Sequence, residues 1–321
     1  MSNLPDPEST PLDEAARAGW LYYVAGKTQD QIAREMGISR QRAQRLVSRA
    51  VAERLIHVRL DHPVSACLEL EQDLRHRFSL QCCRVAPSLG PGADPVRAIA
   101  PVAATEMERV LRTPEPLVIA LGTGRALRAM VEELPSLSAE QHRLVSLIGN
   151  IAPDGSASFF DVIMRIADKV HAPHFPRPVP VISVTAQEAA LFQSLGPIRR
   201  VTELARTADV CFVGVGQMGD DAPLLVDGFM SRAEQAELHR TGAIGEVVGN
   251  IFDASGQYID SGINQRIGGV RIEPGRPGQV IGIAGGRPKV EAIHAALRGR
   301  ILNGLITDED SAKALLSASR R

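Results

Sequence analysis

The sequence predicts an α/β protein of two domains, in which a small all-α domain precedes a doubly wound, mostly parallel α/β domain. Three observations predict it. The chain has 321 residues with 44% hydrophobic residues, which is enough for two hydrophobic cores. Residues 28–53 have the pattern of two short helices joined by a tight turn. Beyond residue 80, short apolar runs alternate with helical ones, which is typical of parallel strands covered by helices.

The stretch 28–53 predicts a helix-turn-helix. Thr28 and Ser39 can each cap a helix, because a hydroxyl oxygen accepts a backbone N–H that the helix leaves unpaired. Gly37 marks the turn. Apolar residues recur at helical spacing on both helices: they are Ile32, Ala33, Met36, Ala43, Leu46, Val47 and Ala50.

The second helix of this pair keeps a basic, amide-rich face outward, formed by Arg40, Gln41, Arg42, Gln44, Arg45 and Arg49. The whole chain carries a net charge of only -1, but Lys27 and seven arginines between residues 27 and 60 face only Asp30, Glu35 and Glu53. Cations suit phosphates and forked side chains suit base edges, so this helix is predicted to enter the major groove of double-stranded DNA. A merely solvated basic helix is the alternative. The candidate DNA-contacting residues are Thr28, Gln29, Ser39, Arg40, Gln41, Arg42, Gln44 and Arg45.

Four segments follow from these patterns. Residues 1–11, acidic and rich in proline, predict a disordered tail, and residues 12–62 predict the DNA-binding domain. Residues 63–80 predict a linker helix, with its core over 65–78, which either helps subunits to associate or is a simple packed connector. Residues 81–321 predict the α/β domain. Within the first domain, Leu12, Ala16, Trp20, Tyr23 and Val24 are spaced as the inner face of a first helix, and 54–60 predict a strand or wing.

Secondary structure in the α/β domain is predicted from short apolar runs and longer amphipathic ones. Strands are expected over 116–121, 144–149, 179–184, 209–215, 279–284 and 304–307. Helices are expected over 125–134, 159–170, 186–195, 231–239, 288–297 and 308–317. Residues 245–260 predict an antiparallel hairpin that turns at Ser255 and Gly256.

Three glycine-rich loops, 122–124, 214–217 and 284–286, follow predicted strands. Parallel sheets bind ligands at the carboxyl ends of their strands, and backbone N–H groups at helix starts can hold an oxyanion. Lys289 lies in the first turn of a predicted helix, where a cation opposes the helix dipole, so a nearby anion would explain it. Each loop taken alone is also explained by turn geometry. Together they predict a small-molecule site.

Five motifs, in this order, resemble the SorC family of bacterial transcriptional regulators: LGTGRAL (121–127), ADVCFVGVG (208–216), GAIGEVVGNIFDASG (242–256), IAGGRPKVEAIHAALRG (283–299) and LITDEDSAKALL (305–316). The resemblance covers about residues 15–317. It implies a helix-turn-helix joined to a sugar-binding domain of the glucosamine-phosphate deaminase and ribose-phosphate isomerase type. It also implies a tetramer whose hold on operator DNA changes when a sugar, often phosphorylated, binds. The start WLYYVAGKTQDQIAREMG resembles the branch that controls sugar-alcohol catabolism.

The resemblance also implies site residues. The loop that cradles the effector corresponds to Gly122, Thr123, Gly124 and Arg125, the phosphate-binding lysine to Lys289, the family's acidic residue to Glu246 and an arginine after the hairpin to Arg266. From their place near the same edge we add Asn150, Gly216, Asn264 and Gln265. Two departures weaken the case for a phosphate: Ala126 stands where the family often has threonine, and Asn250 where it often has arginine. An unphosphorylated sugar or polyol is therefore the alternative.

The sequence favours a regulator over an enzyme. All but one of the candidate acid–base residues fall in predicted loops, the exception being Asp161 in the predicted helix 159–170; they are Asp154, Asp161, Asp220, Asp221, His171 and His174. The four cysteines lack zinc-site spacing, so we expect no metal and no cofactor. No stretch has the pattern of a signal peptide or a membrane span, which predicts a cytoplasmic protein. A single helix-turn-helix reads few base pairs, so a homo-oligomer, dimer or tetramer, is expected. A constitutive DNA-binding protein with a purely oligomerising second domain is the remaining alternative.

Overall fold

The computed structural model of the chain describes residues 10–53, 55–56, 65–157 and 162–318. Its internal contacts divide the chain into two units, residues 1–62 and 63–321. The described part of the first unit contains the helices α1 (Pro11–Tyr23), α2 (Gln29–Met36) and α3 (Arg40–Ala52).

The α2–α3 pair forms the predicted helix-turn-helix. The side chain of Thr28 caps α2, and Oε1 of Gln31 accepts the backbone N–H of Thr28 at 2.8 Å. Gly37 ends α2 in the left-handed conformation with φ 65°, and the hydroxyl of Ser39 accepts the N–H of Arg42 at 3.2 Å. The predicted apolar face is confirmed: Ile32, Ala33, Ala43, Leu46, Val47 and Ala50 are buried, and Met36 packs against them.

The predicted inner face of α1 is wrong. The helix buries its small residues Ala15, Ala18 and Gly19 together with Leu21. A Cβ atom on Gly19 would lie only 2.8 Å from the Cβ of Ala50, so α1 and α3 approach too closely for bulky side chains to pack between them. The predicted inner residues instead lie outward: Leu12 (41% exposed), Trp20 (54%), Tyr23 (42%) and Val24 (65%), with Ala16 half-buried.

Helix α1 begins earlier than predicted. Thr10 caps α1 and Pro11 begins it, so the predicted tail over 1–11 extends two residues too far; residues 1–9 lie outside the described ranges. The wing predicted over 54–60 falls mostly outside the described ranges as well. Residues 55–56, which are described, form no strand.

The second unit is built on a parallel sheet. Its strands are β1 (Cys82–Ala86), β2 (Val118–Leu121), β3 (Arg143–Ser146), β4 (His174–Phe175), β5 (Val210–Gly214), β9 (Gln279–Ile283) and β10 (Gly304–Asp308). They lie in the order β1-β10-β9-β5-β2-β3-β4, and each adjacent pair is parallel. A small antiparallel sheet contains β6 (Gly216–Gln217), β7 (Ala243–Val247) and β8 (Asn250–Asp253).

Helices cover both faces of the parallel sheet, which confirms the doubly wound prediction. They are α4 (Ser65–Phe78), α5 (Pro95–Leu111), α6 (Arg125–Glu133), α7 (Ile163–Val170), α8 (Ala186–Ser194), α9 (Gly196–Arg206), α10 (Pro223–Val226), α11 (Arg232–Arg240), α12 (Val290–Arg298) and α13 (Glu309–Ala318). Residues of α4, α9, α12 and α13 belong to the core on one face, and residues of α5, α6 and α7 to the core on the other. Strands buried on both sides are the reason that the sequence shows continuous apolar runs here.

The segment predicted as a linker helix is a packed element of the second unit. Helix α4 lies against β1 and α13, and it buries Cys67 and Leu74. Leu70 and Phe78 are half-buried, whereas Leu68, predicted on the same face, is 39% exposed. This geometry agrees with the packed connector, and a role in subunit association stays a prediction.

Two predictions on the sheets are corrected. No strand forms over 179–184, which makes only isolated bridges from Pro180 to Ile151 and from Ile182 to Ile267. Pro178 and Pro180 have no N–H to donate to a ladder, and the edge strand is β4 instead. The β7–β8 hairpin turns at Val248 and Gly249, both with positive φ (54° and 76°), as a two-residue hairpin turn requires.

The turn at Ser255 and Gly256 also exists, but it follows β8. The backbone N–H of Gly256 donates to the carbonyl oxygen of Asp253 at 2.9 Å, and Tyr258 returns to pair with Phe252. The elements β1, β4, β6, α5, α9 and α10 were not predicted. Helix α5 carries Pro101 in its interior, which is a helix-breaking signal in sequence reasoning.

Candidate functional site

The three glycine-rich loops converge on one cavity. Strands β9, β5 and β2 are neighbours in the parallel sheet, so the loops that follow them meet at one edge. The cavity there has a volume of about 1780 Å³. Its lining includes Gly122, Thr123, Gly124, Arg125, Gly216, Gln217, Asp221, Asp227, Glu246, Gly285, Gly286, Lys289 and the segment 88–96. The structure thus brings seven of the eleven predicted effector residues together.

The loop after β2 presents a helix start to this cavity. Gly124, with φ 118°, precedes α6, and no side chain caps that end, so backbone N–H groups of the first turn are available to a ligand. The N–H of Gly122 donates to the carbonyl of Phe212 at 2.8 Å, which ties the loop to β5. A Cβ atom on Gly214 would lie 3.3 Å from the carbonyl oxygen of Thr123, so the two loops pack closely.

Arg125 begins α6 and forms an ion pair with Asp227, with Nη2 and Oδ1 2.7 Å apart. Asp227 follows α10 directly, and both residues line the cavity. The positive charge of the Arg125 guanidinium is therefore offset by the carboxylate of Asp227 in this conformation.

The loop after β9 is shaped by the end of β10. The N–H of Gly286 donates to Oδ2 of Asp308 at 2.9 Å and to the hydroxyl of Ser311 at 2.8 Å. A Cβ atom on Gly285 would lie 2.2 Å from Oδ2 of Asp308, so a side chain there would displace the carboxylate. The 3-10 turn Arg287–Lys289 follows, and no side chain caps its start at Gly286.

Glu246 and Lys289 bring opposite charges to the cavity. Oε2 of Glu246 accepts the N–H of Gly249 at 2.7 Å, and a Cβ atom on Gly216 would lie 2.2 Å from Oε1. Burial raises the pKa of Glu246, against the opposing effects of the Gly249 N–H and the Lys289 charge. Burial lowers the pKa of Lys289, against the opposing charge of Glu246. Within the described residues neither group has an ion-pair partner within 4.0 Å, so both can reach a ligand.

Four predicted effector residues lie elsewhere, against our expectation. Asn150 lines a separate small cavity beside Thr123. Asn264 is buried and bonds to Ile251 through both amide atoms, which is a structural role. Gln265 is exposed. Arg266 forms an ion pair with Glu234. The sequence places all four near the hairpin or a strand end, but it does not show which way each side chain turns.

Sequence reasoning missed the segment 88–96, which includes Asp94, and four further carboxylates of the lining: Asp227, Glu291, Asp308 and Asp310. Asp94 caps α5 by accepting the N–H of Val96 at 3.0 Å, and Pro95 is the first residue of that helix. An Asp-Pro pair is a helix-start signal that could have been recognised. Asp227 and Asp308 have no such signal, since only tertiary contacts bring them to the cavity.

The predicted DNA-contacting face is exposed. Arg40, Gln41, Arg42, Gln44, Arg45 and Arg49 all lie outward on α3. Arg42 is bound to Glu14 of α1, with Nη2 and Oε2 2.9 Å apart, and Arg40 lies 3.4 Å from Asp30 of α2. Thr28 and Ser39 act as helix caps, and Gln29 is half-buried.

No group of three or more His, Cys, Asp or Glu side chains in the described ranges is arranged to hold a metal ion. The cysteines are buried and unpaired, and burial raises the pKa of Cys82 to about 11 and of Cys83 to about 12, so both are unreactive thiols. Among the described helices, none is both long and apolar enough to cross a membrane.

Comparison with known proteins gives the same division of the chain. A family described as "Putative sugar-binding domain" matches residues 62–317, and the MarR family matches residues 14–63. The erythritol catabolism regulatory protein EryD of Brucella abortus is 34% identical over 302 residues, covering 94% of this chain and 96% of EryD. The transcriptional regulator LsrR of an Enterobacter species is 32% identical over 307 residues, covering 94% and 92%.

A solved structure extends the match to the whole fold. The full-length sorbitol operon regulator SorC of Klebsiella pneumoniae superposes with a TM-score of 0.70 at 26% identity, covering 96% of this chain and 100% of SorC. The relatives are transcriptional regulators rather than enzymes, as the sequence predicted. The fold, the two family matches and the full-length relatives place the chain in the SorC family of transcriptional regulators, which join a helix-turn-helix to a sugar-binding domain.

Proposed function

We propose that this regulator acts in the cytoplasm on an operon for carbohydrate or polyol catabolism, and that a small polyhydroxylated molecule in the cavity modulates its hold on operator DNA. The observation that carries the proposal is the placement of Glu246 and Lys289 in one cavity with the start of α6, which no side chain caps. A carboxylate accepts hydroxyl protons, and the ammonium and backbone N–H groups donate to oxygens. The cavity therefore suits a sugar, a sugar alcohol or their phosphates.

The contacts favour an unphosphorylated ligand among these. Arg125 is compensated by Asp227, and Glu246 and Asp94 offset the charge of Lys289. Asn250, where the family often has arginine, is buried and donates to the carbonyl of Val248 at 3.1 Å, so it adds no cation. The relative EryD is named for erythritol catabolism, which supports a short polyol as the effector.

The domain boundaries and the assembly belong to the same proposal. We assign residues 10–62 to the DNA-binding domain and residues 81–321 to the effector domain, with residues 63–80 as a connector packed on it. The two family matches meet at residues 62–63, which supports the first of these boundaries. Operators that match symmetric proteins are read by at least two helix-turn-helix units, so the protein acts as a dimer or tetramer. Light scattering of the purified full chain measures the assembly, and a monomer would contradict this part.

A thermal-shift screen of the full chain tests the effector. The panel contains erythritol, longer polyols, the corresponding sugars and the phosphates of each. A ligand that binds only the folded protein stabilises it by about 2.7 kcal/mol at about 100 times its Kd. We expect a polyol to raise the melting temperature and to change binding to DNA from upstream of the protein's own gene.

Matched variants locate the site. Glu246→Gln and Lys289→Gln should each abolish the shift, whereas Glu203→Gln, on the exposed surface of α9, should retain it. If no compound shifts the melting temperature and none changes DNA binding, the effector proposal is wrong and the protein is a constitutive DNA-binding regulator. If the shift survives in both cavity variants, the ligand binds elsewhere.

A further inference from the structure

The polar residues of the recognition helix α3 point in different directions relative to its buried side. Successive residues of a helix are turned by about 100°, and the buried residues Ala43, Leu46, Val47 and Ala50 define the inward side. Gln41 and Arg45 then point within about 30° of the opposite direction. Arg40 and Arg42 point about 90–110° to either side of that direction. The centre of the outward face is thus a glutamine–arginine pair at i and i+4.

The flanking arginines are held by carboxylates of the neighbouring helices. Nη2 of Arg42 lies 3.1 Å and 2.9 Å from the two carboxylate oxygens of Glu14, on α1. Nε of Arg40 lies 3.4 Å from Oδ1 of Asp30, on α2. Both guanidinium groups are therefore drawn sideways, along the body of the domain and away from the centre of the face.

The central pair has no such restraint. Gln41 and Arg45 are exposed, and neither side chain makes a hydrogen bond or ion pair to any residue that the structure describes. Their amide and guanidinium groups remain available to form pairs of hydrogen bonds with base edges. A glutamine amide pairs with the N6 and N7 atoms of adenine, and a guanidinium pairs with the O6 and N7 atoms of guanine.

The distance between Gln41 and Arg45 along the helix determines which bases they can reach. Residues four apart are separated by about 6 Å along a helix axis. Base pairs repeat about every 3.4 Å along one strand, so the two side chains reach bases about two steps apart. If α3 enters the groove with this pair at its centre, the flanking arginines face the groove walls, which carry the phosphates.

Resting on the proposed function as a DNA-binding regulator, we infer that Gln41 and Arg45 read the bases of each operator half-site, as an adenine and a guanine about two steps apart. The ion pairs of Arg40 and Arg42 are exposed and therefore weak, so these arginines bind the phosphates on either side and add no sequence preference. The eight candidate residues thus separate into two readers, two phosphate-binding arginines, the caps Thr28 and Ser39, and the flanking Gln29 and Gln44.

Selection from a pool of random duplex DNA with the full-length protein tests the assignment. The wild type should enrich a symmetric site that contains the adenine and the guanine in each half. Gln41→Ala, which changes no charge, should lose the preference at the adenine position alone. Arg45→Gln should lose the guanine preference, and Arg42→Gln should retain the whole selected site.

Affinity measurements on the selected site complete the test. Gln41→Ala should weaken binding to this site about 5- to 150-fold while leaving binding to unrelated DNA unchanged. Arg42→Gln should weaken binding to both alike and lower the slope of log affinity against log salt by about one. All of these side chains are exposed, and equal melting temperatures of the variants confirm that they fold.

Failure of the DNA-binding function and failure of the assignment of Gln41 and Arg45 give different outcomes. If the wild type selects no site, the proposed DNA-binding function fails, and this inference fails with it. If the wild type selects a site that Gln41→Ala and Arg45→Gln both retain, or that Arg42→Gln alone loses, regulation stands and the assignment of readers is overturned.

Discussion

Replacing Asn264 with alanine is expected to lower the free energy of unfolding of the α/β domain by about 2–4 kcal/mol. Oδ1 of the buried Asn264 accepts the N–H of Ile251 at 2.8 Å, and Nδ2 donates to the carbonyls of Ile251 at 2.9 Å and Ile259 at 2.7 Å. The Ile251 carbonyl keeps a second donor, the N–H of Ile259 at 3.0 Å. The main costs are therefore the Ile251 N–H left without that acceptor, about 1–3 kcal/mol, and the bond to Ile259, about 1 kcal/mol.

Urea unfolding followed by far-ultraviolet circular dichroism measures this loss. The single tryptophan, Trp20, lies in α1, so its fluorescence follows the DNA-binding domain and serves as an internal reference that should not change. Gln265→Ala is the matched control, because Gln265 is exposed and makes one long hydrogen bond, 3.4 Å, to Asp260. Its effect should stay within about 0.5 kcal/mol.

The result decides between two roles for Asn264. If Asn264→Ala is as stable as the control and the protein no longer responds to its effector, Asn264 contacts the ligand and the structural role is refuted. A destabilised variant that still responds to saturating effector would agree with the geometry.

Three further predictions concern single residues. The raised pKa of Glu246 means that its protonated form favours the fold; this stabilisation is complete below about pH 4.5, its unfolded pKa, and is lost as pH rises through the folded pKa. Glu246→Gln should therefore gain stability relative to the wild type as pH rises across that range, as urea titrations can measure; a constant difference would contradict the shift. Arg177 is fully buried and donates to Gly268 and Thr202 at 2.6 Å, so Arg177→Met should cost about 3 kcal/mol in the same assay, and a loss below about 0.5 kcal/mol would contradict its structural role. Gly37 adopts φ 65°, so Gly37→Ala should cost the DNA-binding domain about 1 kcal/mol, measured by Trp20 fluorescence, and an unchanged midpoint would contradict it.

Local signals in the sequence predicted most of the fold. Thr28, Gly37 and Ser39 act on neighbouring backbone groups, so their roles are visible without the tertiary structure. Strands buried on both faces have to be continuously apolar, which is why β2, β5, β9 and β10 were located to within two residues at each end. The glycine loops that line the cavity follow from the same strand ends.

The failures come from contacts between distant residues. Helix α1 has two possible apolar faces, and its close approach to Ala50, more than thirty residues away, selects the one with small residues. Asn264 looks like a ligand-binding amide in the sequence, but its partners in β8 occupy both of its amide atoms. The carboxylate of Asp308 shapes the loop at Gly286 from the end of a strand that lies next to β9 only in the folded sheet.

The burial of two opposite charges in the cavity bears on regulation. Burial disfavours the charged forms of both Glu246 and Lys289, and no direct ion pair within the described residues offsets that cost. A polyol that donates to the carboxylate and accepts from the ammonium relieves both groups at once. An anionic ligand that binds Arg125, by contrast, has to share it with Asp227, so it would stabilise a conformation in which that ion pair is changed. A ligand shifts a regulator between states only by its different affinity for each. The ion pair of Arg125 with Asp227 is a contact through which a neutral polyol and its phosphate would have different effects.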